Sequence, residues 1–206
     1  GLPFSPPFWL EPKYDGIRAQ LHKSGGEVCL FSRDLRPLDL DFPELIDAAK
    51  GMEGDFILDG ELIAYAEGRK LGFEDLQKRP CWRRVEGDLF MTRSGAPVSV
   101  PLKYVAFDLL WADGEALLDL PLSARRAKLE GLPLVGIISV IERLQASDAR
   151  EFEEHFKKSM QDCHEGLIAK DPESAYSPGK SGRSWIRIKG PDDVDTLATA
   201  EGLLGI

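Results

Sequence analysis

Lys13 opens the run Lys13-Tyr14-Asp15-Gly16-Ile17-Arg18, which places an amine, a carboxylate, a glycine and a guanidinium within one short segment. A lysine is protonated at neutral pH and is not a nucleophile. It becomes one when desolvation or nearby positive charge lowers its pKa. Arg18, further lysines and a bound divalent metal are the sources of such charge. Gly16 would let the backbone turn tightly beneath a phosphate. The chemistry this spells is nucleophilic attack by Lys13 on a phosphoryl centre.

Four segments downstream fit the same chemistry. Asp59-Gly60-Glu61 interrupts an apolar run, Phe56-Ile57-Leu58 and Leu62-Ile63-Ala64. Carboxylates there are costly unless they are paired or bound to a metal or ligand. Phe107, in Phe107-Asp108-Leu109-Leu110-Trp111, closes another apolar run and could stack on a base. Glu165-Gly166-Leu167-Ile168-Ala169-Lys170 puts an acid at the start of a short strand and a lysine at its end. In Trp185-Ile186-Arg187-Ile188-Lys189 the alternation places Arg187 and Lys189 on one strand face. Two cations side by side suit a triphosphate or a nucleic-acid phosphate.

The elements that must position these residues are short. Residues 17–23 and 27–32 alternate as strands around the Ser24-Gly25-Gly26 turn. A helix is predicted over 42–50, after Pro43 and before Gly51. Residues 56–65 read as a strand broken at Asp59-Gly60, 72–79 as a short helix, and 83–100 as a loop or hairpin. Residues 102–111 read as a buried strand. Residues 123–129 read as a helix with Ser123 as N-cap, and 136–141 as a strand. The clearest helix is 148–163, where Asp148 and Glu151 have capping-box spacing. Its apolar stripe is Phe152, Phe156, Met160 and Cys163. Residues 166–170 and 185–189 read as strands joined through a loop at 177–182. Hairpins outnumber βαβ units, so an α+β domain with largely antiparallel sheets is predicted.

Composition narrows the classes. The chain has 206 residues and a formal net charge of −9, which argues against a surface that grips nucleic acid everywhere but leaves room for a basic channel. The length suits one domain, with or without a fragment of a second. Cys29, Cys81 and Cys163 form no C-x-x-C pair and read as reduced thiols, and the histidines are scattered, so no zinc site is expected. No apolar stretch is long enough for a membrane span and the start lacks a secretory pattern, so a cytoplasmic protein is expected.

Taken in order, the five segments resemble motifs I, III, IIIa, IV and V of the covalent nucleotidyltransferase superfamily. Phe31-Ser32-Arg33 resembles the accessory motif after the first. The forms Lys-Tyr-Asp-Gly-Ile-Arg and Phe-Asp-Leu-Leu-Trp are most similar to the adenylation domain of ATP-dependent DNA ligases of the bacterial and archaeal branch. The run Pro121-Leu122-Ser123-Ala124-Arg125-Arg126 points the same way. RNA ligases and capping guanylyltransferases are the runners-up, with a non-catalytic module binding nucleotide or DNA ends as the alternative from another class.

The resemblance implies an ATP-grasp-like covalent nucleotidyltransferase domain of two largely antiparallel sheets flanked by helices. It implies that Lys13 attacks the ATP α-phosphate and holds AMP, which passes to the 5′-phosphate of nicked double-stranded DNA. Glu11 would accept from the adenine amino group, Phe107 and Ile168 would cover its two faces, and Glu61 would contact the ribose. Asp15, Glu61 and Glu165 would organise Mg2+ or Mn2+. Arg18 and Arg33 would hold ribose and the 5′-phosphate side of a nick. Arg187, Lys189 and Lys170 would serve the nucleotide as further cations, with Lys13, Asp15, Arg18 and Lys189 as the catalytic set. The expected partners are ATP and DNA, with no membrane, and the expected state is a monomer acting in DNA replication, repair or recombination.

Two departures stand out. The first basic position of motif V is usually lysine and here is Arg187, which changes geometry but not charge. Residues 1–190 would form the adenylation domain. Residues 191–206 would be a linker or the first strand of an OB-fold domain expected in the parent protein. The chain alone is then expected to bind ATP but to adenylate itself slowly and seal nicks poorly.

Overall fold

Alternating side chains and tight turns decide most of the strand pairs. The computed structural model describes residues 2–3, 5–77, 79, 100–179 and 183–189. In chain order its elements begin with β1 (Phe8–Pro12), β2 (Ile17–Ser24), β3 (Glu27–Ser32), α1 (Pro43–Lys50) and β4 (Phe56–Ala66). Next come β5 (Arg69–Lys70), α2 (Phe73–Gln77), β6 (Leu102–Ala112), β7 (Glu115–Ala116) and α3 (Leu122–Glu130). The remainder are β8 (Ile138–Val140), β9 (Leu144–Ala146), α4 (Ala149–Gln161), β10 (Gly166–Lys170) and β11 (Trp185–Lys189). Cys81, residues 83–99 of the anticipated loop or hairpin, residues 180–182 and the tail 191–206 lie outside the described residues.

The α+β reading holds. A 4-stranded sheet has the order β11-β10-β1-β9, and a 7-stranded sheet carries β3-β2-β4-β6-β7 with β5 and β8 paired to β4 and β6. Among the described strands only β6 and β8 pair in parallel. The β2–β3 hairpin closes on Gly25 and Gly26, at φ 57 and φ 90. Positive φ at both loop residues is what a tight hairpin demands, and glycine adopts it without steric cost.

Each sheet packs one face against a helix. Leu21, Leu30, Phe56, Leu58, Leu62 and Leu109 pack with Leu45 and Ala49 of α1 behind the larger sheet. Leu10, Leu167, Ala169 and Ile188 pack with Phe152 of α4 behind the smaller one. On the opposite face of the larger sheet a third cluster joins Ile63, Val105 and Ile141, edged by Tyr14, Tyr65 and Phe107. Fully burying one such aliphatic or aromatic side chain contributes roughly 1.5–3 kcal/mol.

Several anticipated details differ. No strand is anticipated at residues 8–12, yet β1 is a central strand paired with both β10 and β9. β4 runs unbroken through Asp59-Gly60, and its pairing with β6 shifts register there instead. Ser123 does not cap α3. The helix starts one residue earlier after Pro121, without a side-chain cap, and the N–H groups of Leu122 and Ser123 donate to the carbonyls of Ser174 and Pro172. Asp148 does cap α4 by accepting from the Glu151 N–H at 2.9 Å. The Glu151 carboxylate returns to the Ser147 N–H, one residue outside the usual box. In the α4 stripe Phe152 is buried, while Cys163 lies beyond the helix end and is exposed.

Candidate active site at the junction of the two sheets

Lys13 sits in the four-residue connection between β1 of the smaller sheet and β2 of the larger one. The connection is held to the smaller sheet by two backbone bonds, Lys13 N–H to the Gly166 carbonyl at 2.9 Å and Glu165 N–H to the Lys13 carbonyl at 3.0 Å. On the other side it is pressed onto β4. A Cβ on Gly16 would lie 2.2 Å from the Leu62 carbonyl oxygen and 2.9 Å from the Glu61 Cγ. Gly16 is therefore required by close approach of two backbones. It is not among the positive-φ glycines, which corrects the expectation of a tight turn.

Strand alternation builds the two walls facing Lys13. On the smaller sheet Trp9 and Glu11, then Ile168 and Lys170, then Trp185, Arg187 and Lys189 share one face. The registers Glu11↔Ile168↔Arg187 and Trp9↔Lys170↔Trp185 set them in rows. On the larger sheet Arg18, Asp59, Glu61 and Ile63 share the opposing face. Phe107 owes its place to the register shift. Asp59 pairs with Asp108 and Gly60 with Ala106, so Phe107 is the extra residue of a β-bulge. Bulges re-aim side chains, and here the bulge brings a partly buried aromatic ring beside the third cluster.

Ionised groups crowd this junction. The Lys13 side chain is 16% exposed and its ammonium forms an ion pair with Glu165. Burial lowers the Lys13 pKa below the ordinary 10.5; Lys189 and Arg187 push the same way, against Glu61 and Asp15. Burial lifts Glu61 to about 7, against the pull of Arg18 and Lys13. Asp15, Glu61 and Glu165 therefore all belong to the surroundings of Lys13. Among the described residues, no three acidic, histidine or cysteine side chains converge tightly enough to cage a metal on their own. Magnesium commonly takes one or two carboxylates and completes its shell with water and substrate phosphates. The donor set suits an ion that arrives with a nucleotide.

Some anticipated ligands are already engaged. Arg18 donates to Asp59 through Nε at 3.1 Å and through a terminal nitrogen at 2.7 Å, and Tyr176 donates to the same carboxylate at 2.8 Å. Burial works against the Arg18 charge, but these bonds more than offset it and hold the guanidinium protonated. The Arg18 head also lies 5.6 Å from the Phe107 ring centroid. Lys170 and Glu11 are both 1% exposed and form an ion pair. The Lys170 ammonium lies 3.9 Å from the Trp185 centroid and 4.9 Å from that of Phe107, so it floors the aromatic walls instead of facing solvent. Arg187 is exposed beside Ile168. Arg33 is not gathered in: it is exposed just past β3, one step beyond the Ala19↔Ser32 pair and hence at the Arg18 end of the sheet.

Sequence reasoning required a partner for Asp59 without naming it, and it did not single out the supports Arg125, Asp108 and Arg126. Asp59 is fully buried and anchors Arg18. Arg125 and Asp108, both 0% exposed, form a bidentate pair at 2.8 and 2.9 Å next to the bulge. Arg126 reaches Glu11 at 3.2 Å. A cavity of about 450 Å³ that Glu165, the ion-pair partner of Lys13, helps to line is also bounded by Asp15, Lys70, Phe73 and His164 among others.

The family model for the ATP dependent DNA ligase domain matches residues 4–189 of this chain. The chain belongs to the ATP-dependent DNA ligase family. This ligase domain is 41% identical over 210 residues to a probable DNA ligase of Opitutus terrae, a match covering 88% of the chain and 20% of the relative. It is 37% identical over 193 residues to DNA ligase 1 of Korarchaeum cryptofilum, covering 93% of the chain and 34% of the relative. The ligase domain thus spans about a fifth to a third of the length of these curated relatives. Its fold matches the ligase domain of LigD from M. tuberculosis with a TM-score of 0.69 at 28% identity, over 88% of this chain and 55% of that one. A mycobacterial DNA ligase D complexed with ATP and MES matches equally, at TM-score 0.69 and 28% identity over 88% of this chain and 54% of that one. Chlorella virus DNA ligase-adenylate shares the fold at a TM-score of 0.61 and 16% identity, over 89% of this chain and 62% of that one. The family match selects the DNA-ligase branch over RNA ligases and capping enzymes. Among the described residues of the ligase domain, no helix is long and apolar enough to cross a membrane.

Proposed function

We propose that this chain captures AMP from ATP on Lys13 and delivers it to the 5′-phosphate of a DNA nick, which a 3′-hydroxyl then seals with release of AMP. The observation that carries this reading is Lys13 itself: a largely buried amine at the seam of two sheets, with Lys189, Arg187, Glu61 and Asp15 close enough to bias its charge. The adenine ring would enter between Phe107 and Ile168, with Glu11 toward its amino edge and Glu61 toward the ribose. The Lys13–Glu165 contact would give way, freeing the amine. Lys13 Nζ would then bond to the α-phosphorus as the bond to pyrophosphate breaks and the amine loses a proton. Arg187 and Lys189 would neutralise charge on the α-phosphate and the leaving group, which is most of what phosphoryl transfer asks of a protein.

Asp15 and Glu165, with Glu61 beside them, would hold Mg2+ or Mn2+, whose bound charge would stabilise the phosphoryl oxygens. Lys170 would act through Glu11 and the aromatic floor. Arg18 and Arg33, at the same end of the larger sheet, would present cations to the 5′-phosphate side of nicked duplex DNA. An OB-fold domain in the parent protein and a monomeric, cytoplasmic enzyme belong to the same reading.

The pH dependence follows from the lowered Lys13 pKa. Only the neutral amine attacks, so the adduct-forming rate at saturating ATP should rise with pH and reach its midpoint below 10.5, the ordinary lysine value. Lys189→Ala should move that midpoint up, because one of the cations that depress it is gone. A midpoint unmoved by Lys189→Ala contradicts the arrangement. The substrate class is tested by adding nicked DNA or nicked RNA to protein carrying labelled AMP. Label should pass to the 5′-end of the DNA. Transfer to RNA alone contradicts the DNA reading.

A further inference from the structure

The reaction just described leaves Arg126 without a task, although it is one of the most constrained side chains in the molecule. It is 4% exposed, on α3. All three guanidinium nitrogens are engaged: Nε donates to Glu130, one terminal nitrogen to Glu11 and the other to the Ile141 carbonyl. Glu11 is the one carboxylate on the cleft face of β1, β10 and β11 among the described residues. Arg126 holds one of its oxygens and Lys170 the other. Through Lys170 it adjoins Phe107 and Trp185, and through the strand register it adjoins Ile168. An ionised carboxylate fixed at the edge of an aromatic slot can only accept hydrogen bonds. The six-position of adenine offers an amine that donates. The same position of guanine offers an oxygen that accepts.

We propose that Arg126 is a positioning residue for base selection: it holds Glu11 as an oriented acceptor at the closed end of the slot, so that preference for adenine over guanine nucleotides depends on α3. The inference rests on the nucleotide-transfer reading above. Without Arg126, Glu11 stays buried with a single counter-ion, and burial already favours its protonated form. A protonated Glu11 donates and would meet the guanine oxygen. Loss of Arg126 therefore relaxes selection and does not merely weaken binding. A brace that only ties α3 to the sheet would lower the melting temperature and leave the base preference alone.

The test is the dissociation constants for ATP and for GTP, each added alone to the full chain and followed by tryptophan fluorescence, with a thermal melt of every variant. Wild type should prefer ATP. Arg126→Met should narrow the GTP-to-ATP ratio by about 10- to 100-fold, the worth of a hydrogen bond to a charged group. Arg126→Lys keeps the charge but not the fork and should fall between. A folded Arg126→Met with the wild-type ratio overturns the inference. If that variant does not fold, an unchanged ratio in Arg126→Lys overturns it. A wild type without ATP preference removes the nucleotide-transfer reading and this inference with it. A wild type that prefers ATP, with variants that keep the preference, removes this inference alone.

Discussion

Replacing Lys13 with alanine is expected to abolish covalent capture of nucleotide while leaving ATP binding measurable. The change removes the amine in the connection between the two sheets, whose ion pair is with Glu165. Its neighbours cannot substitute without moving. Lys170 is 1% exposed and tied to Glu11. Lys189 lies on β11 in register with Gly166, on the far side of the backbone that Lys13 bonds. Binding should survive because, in the proposed reading, base, ribose and pyrophosphate contacts would come from other elements. The loss of one cation should weaken ATP by about tenfold, as for one charged hydrogen bond. Label on the protein that survives denaturation in wild type and is absent from Lys13→Ala fits the account. Persistent label in the variant would place the nucleophile elsewhere.

Arg125→Met should destabilise the domain by about 3–5 kcal/mol, because it strands a buried charge. Asp108 is 0% exposed and would retain only the bond from the Leu109 N–H at 2.9 Å. Arg125 also donates to the carbonyls of Leu120 and Ser174, so the start of α3 and the segment after β10 would loosen with it. The double variant Asp108→Leu, Arg125→Met should recover much of the loss, since an apolar pair leaves no uncompensated charge. Urea unfolding measures both. A loss below about 1 kcal/mol, or a double variant no more stable than the single, would mean that the pair is not buried as described. Phe107 precedes Asp108 in the bulge, so ATP affinity should fall in the single variant as well.

What the sequence made legible was local. β2 and β3 follow from alternation around Gly25-Gly26, and β10 and β11 from short apolar runs whose charged residues share a face. β1 was harder, because Phe8–Pro12 mixes apolar residues with one acid and ends on proline, and nothing in it alternates. Its identity as a central strand comes from its partners at residues 144–146 and 167–170, far along the chain. The same distance hid the supports. Arg125 and Arg126 look like the solvated face of a helix, yet their partners Asp108 and Glu11 come from two different sheets. Phe107 was anticipated as a stacking residue, but the bulge that aims it is a relation between two strands and has no signature in either alone. Gly16 was read as a turn when what demands it is the Leu62 carbonyl. Arg33 was grouped with Arg18, and it lies just past β3 at the Arg18 end of the larger sheet, exposed and apart from Lys13.

The most direct test of the central claim is peptide mapping of the chain by mass spectrometry after long incubation with ATP and magnesium. The account predicts one adenylyl group, on the peptide that contains Lys13 and bound through its side-chain nitrogen. An adduct on any other lysine, or bound ATP with no adduct at all, would contradict it.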